Sequence, residues 1–235
     1  MKPPSQTILK DIVLIGGGHS HVAVIKSFGM KPIPGVRLTV ISRDVHTPYS
    51  GMLPGLLAGH YDYDDAHIDL RPLSQFASAR LFHDEAIKID PHKKIVICQN
   101  RPPVNYDVLS INIGSTPRMD NVLGADKFTT PVKPISQFFQ HWEKLLGRII
   151  ENSGPHKIGV VGAGAGGIEL LLAIQFRLQN TLVEMGRHSE KLHFHLISKS
   201  TEIMAGFPSS VRRRFLRILE EREVKVHSGV KATEI

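Results

Sequence analysis

Asp11-Ile-Val-Leu-Ile15 running into Gly16-Gly17-Gly18, and Lys157-Ile-Gly-Val-Val161 running into Gly162-Ala-Gly-Ala-Gly-Gly167, decide the fold. Each is a short, continuous apolar run rich in β-branched residues, the pattern of a strand buried on both faces. Each ends at a cluster of glycines, and each is followed by helix-like and then strand-like sequence. After the first come Ser20 to Phe28 as a helix, punctuation at Gly29, Pro32 and Pro34, and a strand from Val36 to Ile41. After the second come Ile168 to Leu178 as a helix and His193 to Ile197 as a strand. Strand, glycine turn, helix and strand make one βαβ unit. The sequence therefore predicts an α/β protein with two such units in tandem.

The segments between them are less regular. His46 to Tyr61 reads as a loop with Pro48, Gly51, Pro54, Gly55 and Gly59, and Ala66 to Ser78 holds a short helix. Glu85 to Asp90 and Lys94 to Cys98 alternate about Pro91-His92-Lys93 and read as a hairpin. Tyr106 to Ile113 is a further strand, closed by Gly114-Ser115-Thr116-Pro117. A connector reaches Pro134, a helix covers Ser136 to Ile150, and Asn152-Ser153-Gly154-Pro155 ends it. Beyond the second unit lie a helix from about Ser209 to Arg222 and a strand from Val224 to His227.

The glycine spacing carries a chemical reason. In a βαβ turn the first glycine permits the tight bend, the second lets the backbone approach a diphosphate, and the third lets helix and strand pack closely. The helix N-terminus then presents unpaired N–H groups to the phosphates. The second copy is complete, as Gly162, Gly164 and Gly167, whereas the first has Gly16 and Gly18 but His21 in the third place. That imidazole is expected to hold helix and strand further apart. An acidic residue ordinarily closes the following strand to bind a ribose hydroxyl. Here the positions are Ser42-Arg43-Asp44 and Ser198-Lys199-Ser200. A serine can still bond a ribose hydroxyl, more weakly than a carboxylate. Beside Lys199, with no carboxylate to repel it, the extra phosphate of NADPH can instead be accommodated, so NADH and NADPH both remain open.

Composition removes other chemistries. Among 235 residues there is one cysteine, Cys98, which excludes an intramolecular disulfide, a CxxC redox pair and a cysteine-based zinc site. Packing is its expected role. His19 with His21, and His193 with His195, lack neighbouring ligands at metal spacing, so no metal is expected. No nucleophile elbow or HExxH motif occurs. The net charge of +7 suits anionic ligands, but no basic run is interleaved with aromatics, so nucleic acid is not an expected partner. Ser209 to Leu219 forms a basic amphipathic helix, with Ser209 or Ser210 as N-cap. Phe215, Leu216 and Leu219 are expected on the sheet, and the arginines could touch a membrane peripherally. No signal peptide or spanning segment is read, and a cytoplasmic setting is expected.

With both fingerprints placed, the chain resembles the FAD-dependent pyridine nucleotide-disulfide oxidoreductases. The resemblance implies two Rossmann-like units, the second nested in the first in full-length relatives. Residues 8–134 would form the FAD-binding domain and residues 135–235 the NAD(P)-binding domain. Tyr106 to Arg118 looks like the family strand that ends in an ATGS-P-type turn. The resemblance assigns Gly16, Gly18, Ser42, Arg43, Ser50, Gly51, Gly114 and Ser115 to FAD. It assigns Gly162, Gly164, Gly167, Glu169 and Ser198 to NADH or NADPH, and names no catalytic side chain. Gly16-Gly-Gly-His-Ser-His21 and Thr47-Pro-Tyr-Ser-Gly-Met-Leu-Pro-Gly55 are similar to the type II NADH dehydrogenase-like module found fused to selenide, water dikinase. The second motif would lie beside the flavin, where disulfide reductases keep a cysteine pair, and it has none.

The implied activity is FAD-dependent NAD(P)H oxidation with an acceptor such as a quinone, and a selenide, water dikinase domain is an implied partner. Family chains return to the FAD domain after the NAD(P) unit, and this sequence ends before that return. It is therefore expected to be part of a longer flavoprotein. The alternative reading is a non-catalytic nucleotide-binding fragment.

Overall fold

The first apolar run becomes the second-from-edge strand of a parallel sheet because it is flanked by two others of the same kind. A computed structural model describes residues 7–116, 122–187 and 191–235. In chain order the first elements are β1 (Lys10–Ile15), α1 (His19–Met30), β2 (Val36–Ser42), β3 (His46–Pro48), α2 (Leu53–Ala58), β4 (His67–Asp69) and α3 (Leu70–Phe76). There follow β5 (Arg80–His83), β6 (Ala86–Asp90), β7 (Ile95–Cys98), β8 (Val104–Asn105), β9 (Val108–Ile111) and α4 (Ala125–Phe128). The last are α5 (Ile135–Glu151), β10 (His156–Val161), α6 (Ala165–Glu184), β11 (Leu192–Ser198), α7 (Ser209–Glu221) and β12 (Val224–Ser228). The described residues form two compact units, residues 7–49 with 67–115, and residues 50–66 with 116, 122–187 and 191–235.

In the first unit the strand order is β5-β2-β1-β9, all parallel. Alternate side chains of β1 point to opposite faces. Leu14 joins Ile25, Leu38, Val40 and Leu70 under α1 and α3, whereas Val13 and Ile15 join Ile41, Val96, Cys98 and Val104 beneath the antiparallel sheet β6-β7-β8. Burial on both faces is what a continuous apolar run requires. Cys98 is one of these packing residues, and burial raises its thiol above the ordinary range.

The second unit has the parallel order β10-β11-β12. Its core is built on α6, whose Ile168, Leu171 and Leu178 are fully buried with Phe194 and Leu196 of β11. Each such leucine stabilises the fold by about 1.5–3 kcal/mol. Leu53, Leu56 and Leu57 of α2 belong to the same core.

Several sequence expectations are corrected. The segment 46–61 contains strand β3, a 3-10 turn at Ser50–Met52 and helix α2. Pro54 is tolerated because it sits in the first turn, and Leu53, Leu56 and Leu57 at helical spacing bury one face. Helix α1 continues through Gly29 to Met30, and Gly29 serves there as a packing residue against the Phe76 ring, where a side chain would collide, rather than as a helix stop. The strand expected over 106–113 narrows to β9, and the helix expected over 168–178 lengthens to α6. Strand β5, four residues with a charged start, has no pattern of its own and is fixed by pairing to β2. Helix α7 has Pro208 at its N-cap with no side-chain cap, so neither Ser209 nor Ser210 fills that role. Leu216 is 46% exposed, while Leu219 is buried and Phe215 packs at the margin of the core.

Candidate dinucleotide sites at two glycine turns

At the end of β1, Gly16 adopts φ +89°, a conformation that a side chain would strain, and its N–H donates to the Ile41 carbonyl at 2.8 Å. Gly18 is the N-cap of α1, and its own N–H donates to the Asn112 carbonyl at 3.2 Å. The Asn112 N–H donates in turn to Ile15 at 2.8 Å, so the strand end of β9 braces the turn. A Cβ on Gly16 would overlap the Asn112 backbone, and one on Gly18 the Asn112 side chain. A Cβ on Gly17 would stand 2.6 Å from Leu70. No side chain caps α1 and no acidic residue lies in its first turn, where His19 and Ser20 are exposed. Its leading N–H groups therefore form a site of positive potential fit for a diphosphate.

The second turn repeats the path with different neighbours. Gly162 has φ +114°, and its N–H donates to Ile197 at 2.8 Å. Gly164 is the N-cap of α6, again without a side-chain cap or an acid in the first turn. A Cβ on Gly162, Gly164 or Gly166 would meet nothing within 4 Å, an open cradle that suits a phosphate. Gly167 differs, because a Cβ there would overlap the Gly162 carbonyl. Glu169 is exposed in the second turn of α6.

At the ends of the following strands, the buried Ser42 donates its hydroxyl to the Asp44 carbonyl at 2.6 Å. Only the lone pairs of Ser42 remain for a ligand. Arg43 is exposed and pairs with Asp44 at 3.2 Å. The buried Ser198 accepts from the Ser200 N–H at 3.2 Å and keeps its hydroxyl hydrogen, beside the exposed Lys199. A cleft of about 260 Å³ nearby is lined by Thr201, Glu202, Arg212, Arg213 and Ser228, with Arg212 ion-paired to Glu202.

Ser50 and Gly51 stand exposed in the 3-10 turn of the second unit's 50–66 segment. Gly114 and Ser115 are exposed just beyond β9, and Pro117 and Arg118 lie outside the described residues. His193 and His195 share one face of β11, but His195 Nδ1 meets His227 Nε2 at 3.0 Å across to β12. Burial, then His227 and Lys225, hold His195 below the usual imidazole range. Among the described residues no three His, Cys, Asp or Glu side chains gather as a metal site. No helix of the described residues is long and apolar enough to cross a membrane.

A family model described as pyridine nucleotide-disulphide oxidoreductase matches residues 10–235, a span that includes both turns. The chain belongs to that family. Among curated proteins, this family member is 25% identical over 232 residues to the NADH dehydrogenase-like protein YutJ of Bacillus subtilis (strain 168), covering 97% of this chain and 59% of YutJ. It is 26% identical over 155 residues to the sulfide-quinone reductase of Aquifex aeolicus (strain VF5), covering 65% of this chain and 35% of that protein. In fold it resembles NDH2 from Plasmodium falciparum, solved in complex with NADH. The TM-score is 0.80 at 17% identity, covering 93% of this chain and 48% of that one. The chain thus spans little more than half of its curated relatives' length at most. The α/β fold of a family oxidoreductase, with its parallel sheets, is the one present here.

Sequence reasoning passed over three residues that shape the first turn: Asn112, Ser110 and Leu70. The alternation of β9 was the available signal, since Ser110 and Asn112 are two apart and face the same side. Nothing local marked Leu70, which reaches Gly17 through tertiary packing.

Proposed function

We propose that this chain is the dinucleotide-handling part of an NAD(P)H-dependent flavin oxidoreductase, with FAD held by residues 8–134 and NAD(P)H by residues 135–235. The observation that carries this reading is the pair of uncapped helices, α1 and α6, each entered through an N-cap glycine at the end of a parallel strand. Bound together, flavin and nicotinamide supply two-electron transfer, and the protein supplies binding and orientation. In this reading the first-turn amides of α1 hold one diphosphate and those of α6 the other. Gly162 and Gly164 leave the approach open, and Ser198 with Lys199 meets the ribose and favours the 2′-phosphate of NADPH. Ser42, Arg43, Ser50, Gly51, Gly114 and Ser115 belong to the flavin side, and Gly167 and Glu169 to the nicotinamide side.

The acceptor in this proposal is quinone-like, in keeping with the name of the Aquifex relative. A thiol relay is disfavoured because Cys98 is buried and its pKa is raised, the reverse of a reactive thiolate. The exposed Arg213, Arg214 and Arg217 of α7, with the exposed Leu216, suit peripheral contact with an anionic bilayer that dissolves such an acceptor. The cytoplasm is the proposed setting. The Gly16–His21 and Thr47–Gly55 motifs support a physical link to a selenide, water dikinase domain.

The purified chain is expected to take up FAD with a visible flavin absorbance, and to oxidise NAD(P)H when a soluble quinone is added. A non-catalytic nucleotide-binding fragment is the second reading, favoured by the 59% span of the Bacillus relative. Protein that stays colourless with added FAD yet binds NAD(P)H would establish that second reading instead.

A further inference from the structure

His21 occupies the place that Gly167 holds in the second turn, and it is 2% exposed. Its Nδ1 lies 2.7 Å from the Gly16 carbonyl and its Nε2 lies 2.9 Å from Ser110 Oγ. A carbonyl can only accept, so Nδ1 carries the hydrogen and donates, and Nε2 shares a second hydrogen bond with the Ser110 hydroxyl, which can donate or accept. Both ring nitrogens are thereby satisfied. Ser110 sits opposite Leu14 in the β1–β9 register, so the ring ties the start of α1 both to the bend and to the neighbouring strand.

The same carbonyl is treated differently in the second turn. There Gly167 approaches the Gly162 carbonyl so closely that no Cβ could fit. His21 carries a Cβ and cannot make that approach, and its ring spans the wider gap with a hydrogen bond. The bend is therefore fixed by a side chain in one unit and by backbone contact in the other.

We propose that His21 is a positioning residue for FAD: by holding the Gly16 carbonyl and Ser110 together, it sets the bend so that the first-turn amides of α1 face the diphosphate. This rests on the flavin reading above. His21 touches no cofactor in this scheme and acts through the backbone of Gly16. A bond of this kind, lost with its half-buried acceptor left unpaired, is worth about tenfold in an equilibrium constant.

The test uses the full chain and three variants, His21→Leu, His21→Asn and Ser110→Ala. Leu fills similar space without a donor, whereas the Asn amide can reproduce the Nδ1 donor to Gly16. FAD affinity is read by quenching of flavin fluorescence and NAD(P)H affinity by titration on the same samples. Amide hydrogen exchange at Gly16 to His19 is read without any cofactor. His21→Leu is expected to weaken FAD about tenfold, to leave NAD(P)H unchanged and to speed exchange at the bend. His21→Asn should restore FAD affinity to within about threefold of the parent chain, and Ser110→Ala should lie between the two.

Equal weakening of both nucleotides, or loss of FAD affinity in His21→Asn as large as in His21→Leu, would overturn the proposal. So would unchanged exchange at Gly16 to His19 in His21→Leu. A parent chain that binds no FAD while its exchange pattern responds to His21→Leu as described would sink the flavin reading and leave the anchoring of the bend intact.

Discussion

The two glycine turns share a backbone path but owe their glycines to different causes. In the first, the chain itself occupies the space around the bend: Asn112 lies against Gly16 and Gly18, and Leu70 lies against Gly17. In the second, Gly162 and Gly164 face open space, and only Gly167 is enforced by a neighbouring backbone atom. One reason is topology. Strand β1 has β2 on one side and β9 on the other, whereas among the described residues β10 pairs only with β11. A glycine can thus be enforced by the chain's own packing at one turn and left unhindered at another, while both turns present uncapped helix amides.

The largest expected effect separates those causes. Gly16→Ala combines a left-handed backbone with a collision at Asn112, and should destabilise the first unit by about 3 kcal/mol. Gly162→Ala meets the backbone strain alone and should cost about 1 kcal/mol. Thermal unfolding of both variants checks the order, and equal losses would show that the bracing by Asn112 is unimportant.

Next comes the pair of N-caps. Gly18→Ala should lower stability by about 1–3 kcal/mol through overpacking on Asn112. Gly164→Ala should leave stability within about 0.5 kcal/mol, yet weaken NAD(P)H about tenfold by filling the cradle. Calorimetric titration beside a melting curve distinguishes them. If Gly164→Ala binds NAD(P)H as tightly as the parent chain, the open space there is not a phosphate site.

A smaller change tests the end of β11. Ser198→Asp places a carboxylate where a 2′-phosphate would lie and should weaken NADPH by up to about tenfold, while NADH, whose ribose hydroxyl the carboxylate can accept from, holds or tightens. Parallel titrations with the two nucleotides read this directly, and equal effects would remove Ser198 from the ribose site.

The mildest effect concerns pH. Asp69 caps α3, accepting from the Arg71 N–H at 2.9 Å, and hydrogen bonds from the Arg71 side chain hold its pKa down to about 2. A carboxyl depressed in the folded state contributes stability that is present above its unfolded pKa, near 4, and is lost as pH falls toward 2. Because α3 carries Leu70 onto Gly17, the first unit should feel this loss. The difference in melting temperature between the parent chain and Asp69→Asn should be small at neutral pH and vanish toward pH 2. A difference that persists there would mean that Asp69 acts through something other than its charge.

Much of this architecture was readable one segment at a time. The runs Asp11–Ile15 and Lys157–Val161, the glycines after them and the hairpin about Pro91 follow local rules of burial, bend and alternation. The candidate site was readable only in part. Gly16, Gly18, Gly162, Gly164 and Gly167 stood out by spacing, but the grip of Asn112 on the first turn joins residues almost a hundred positions apart. The segment 46–61 was misjudged because its glycines and prolines suggest a loop, and its leucines become helical by burying one face in the second unit's core.

What the sequence determined alone was the alternation of strand, bend and helix, repeated twice, because backbone geometry at glycine and the apolarity of short runs are properties of neighbours in the chain. What the tertiary structure decided was how each bend is held. Strand β9 returns beside β1, and so the His21 ring, bonded to the nearby Gly16 carbonyl, also finds Ser110; no described strand takes that place beside β10, and the second turn stays open. Hydrogen-bond partners of that kind are chosen by which strands become adjacent, a long-range outcome that no local pattern specifies.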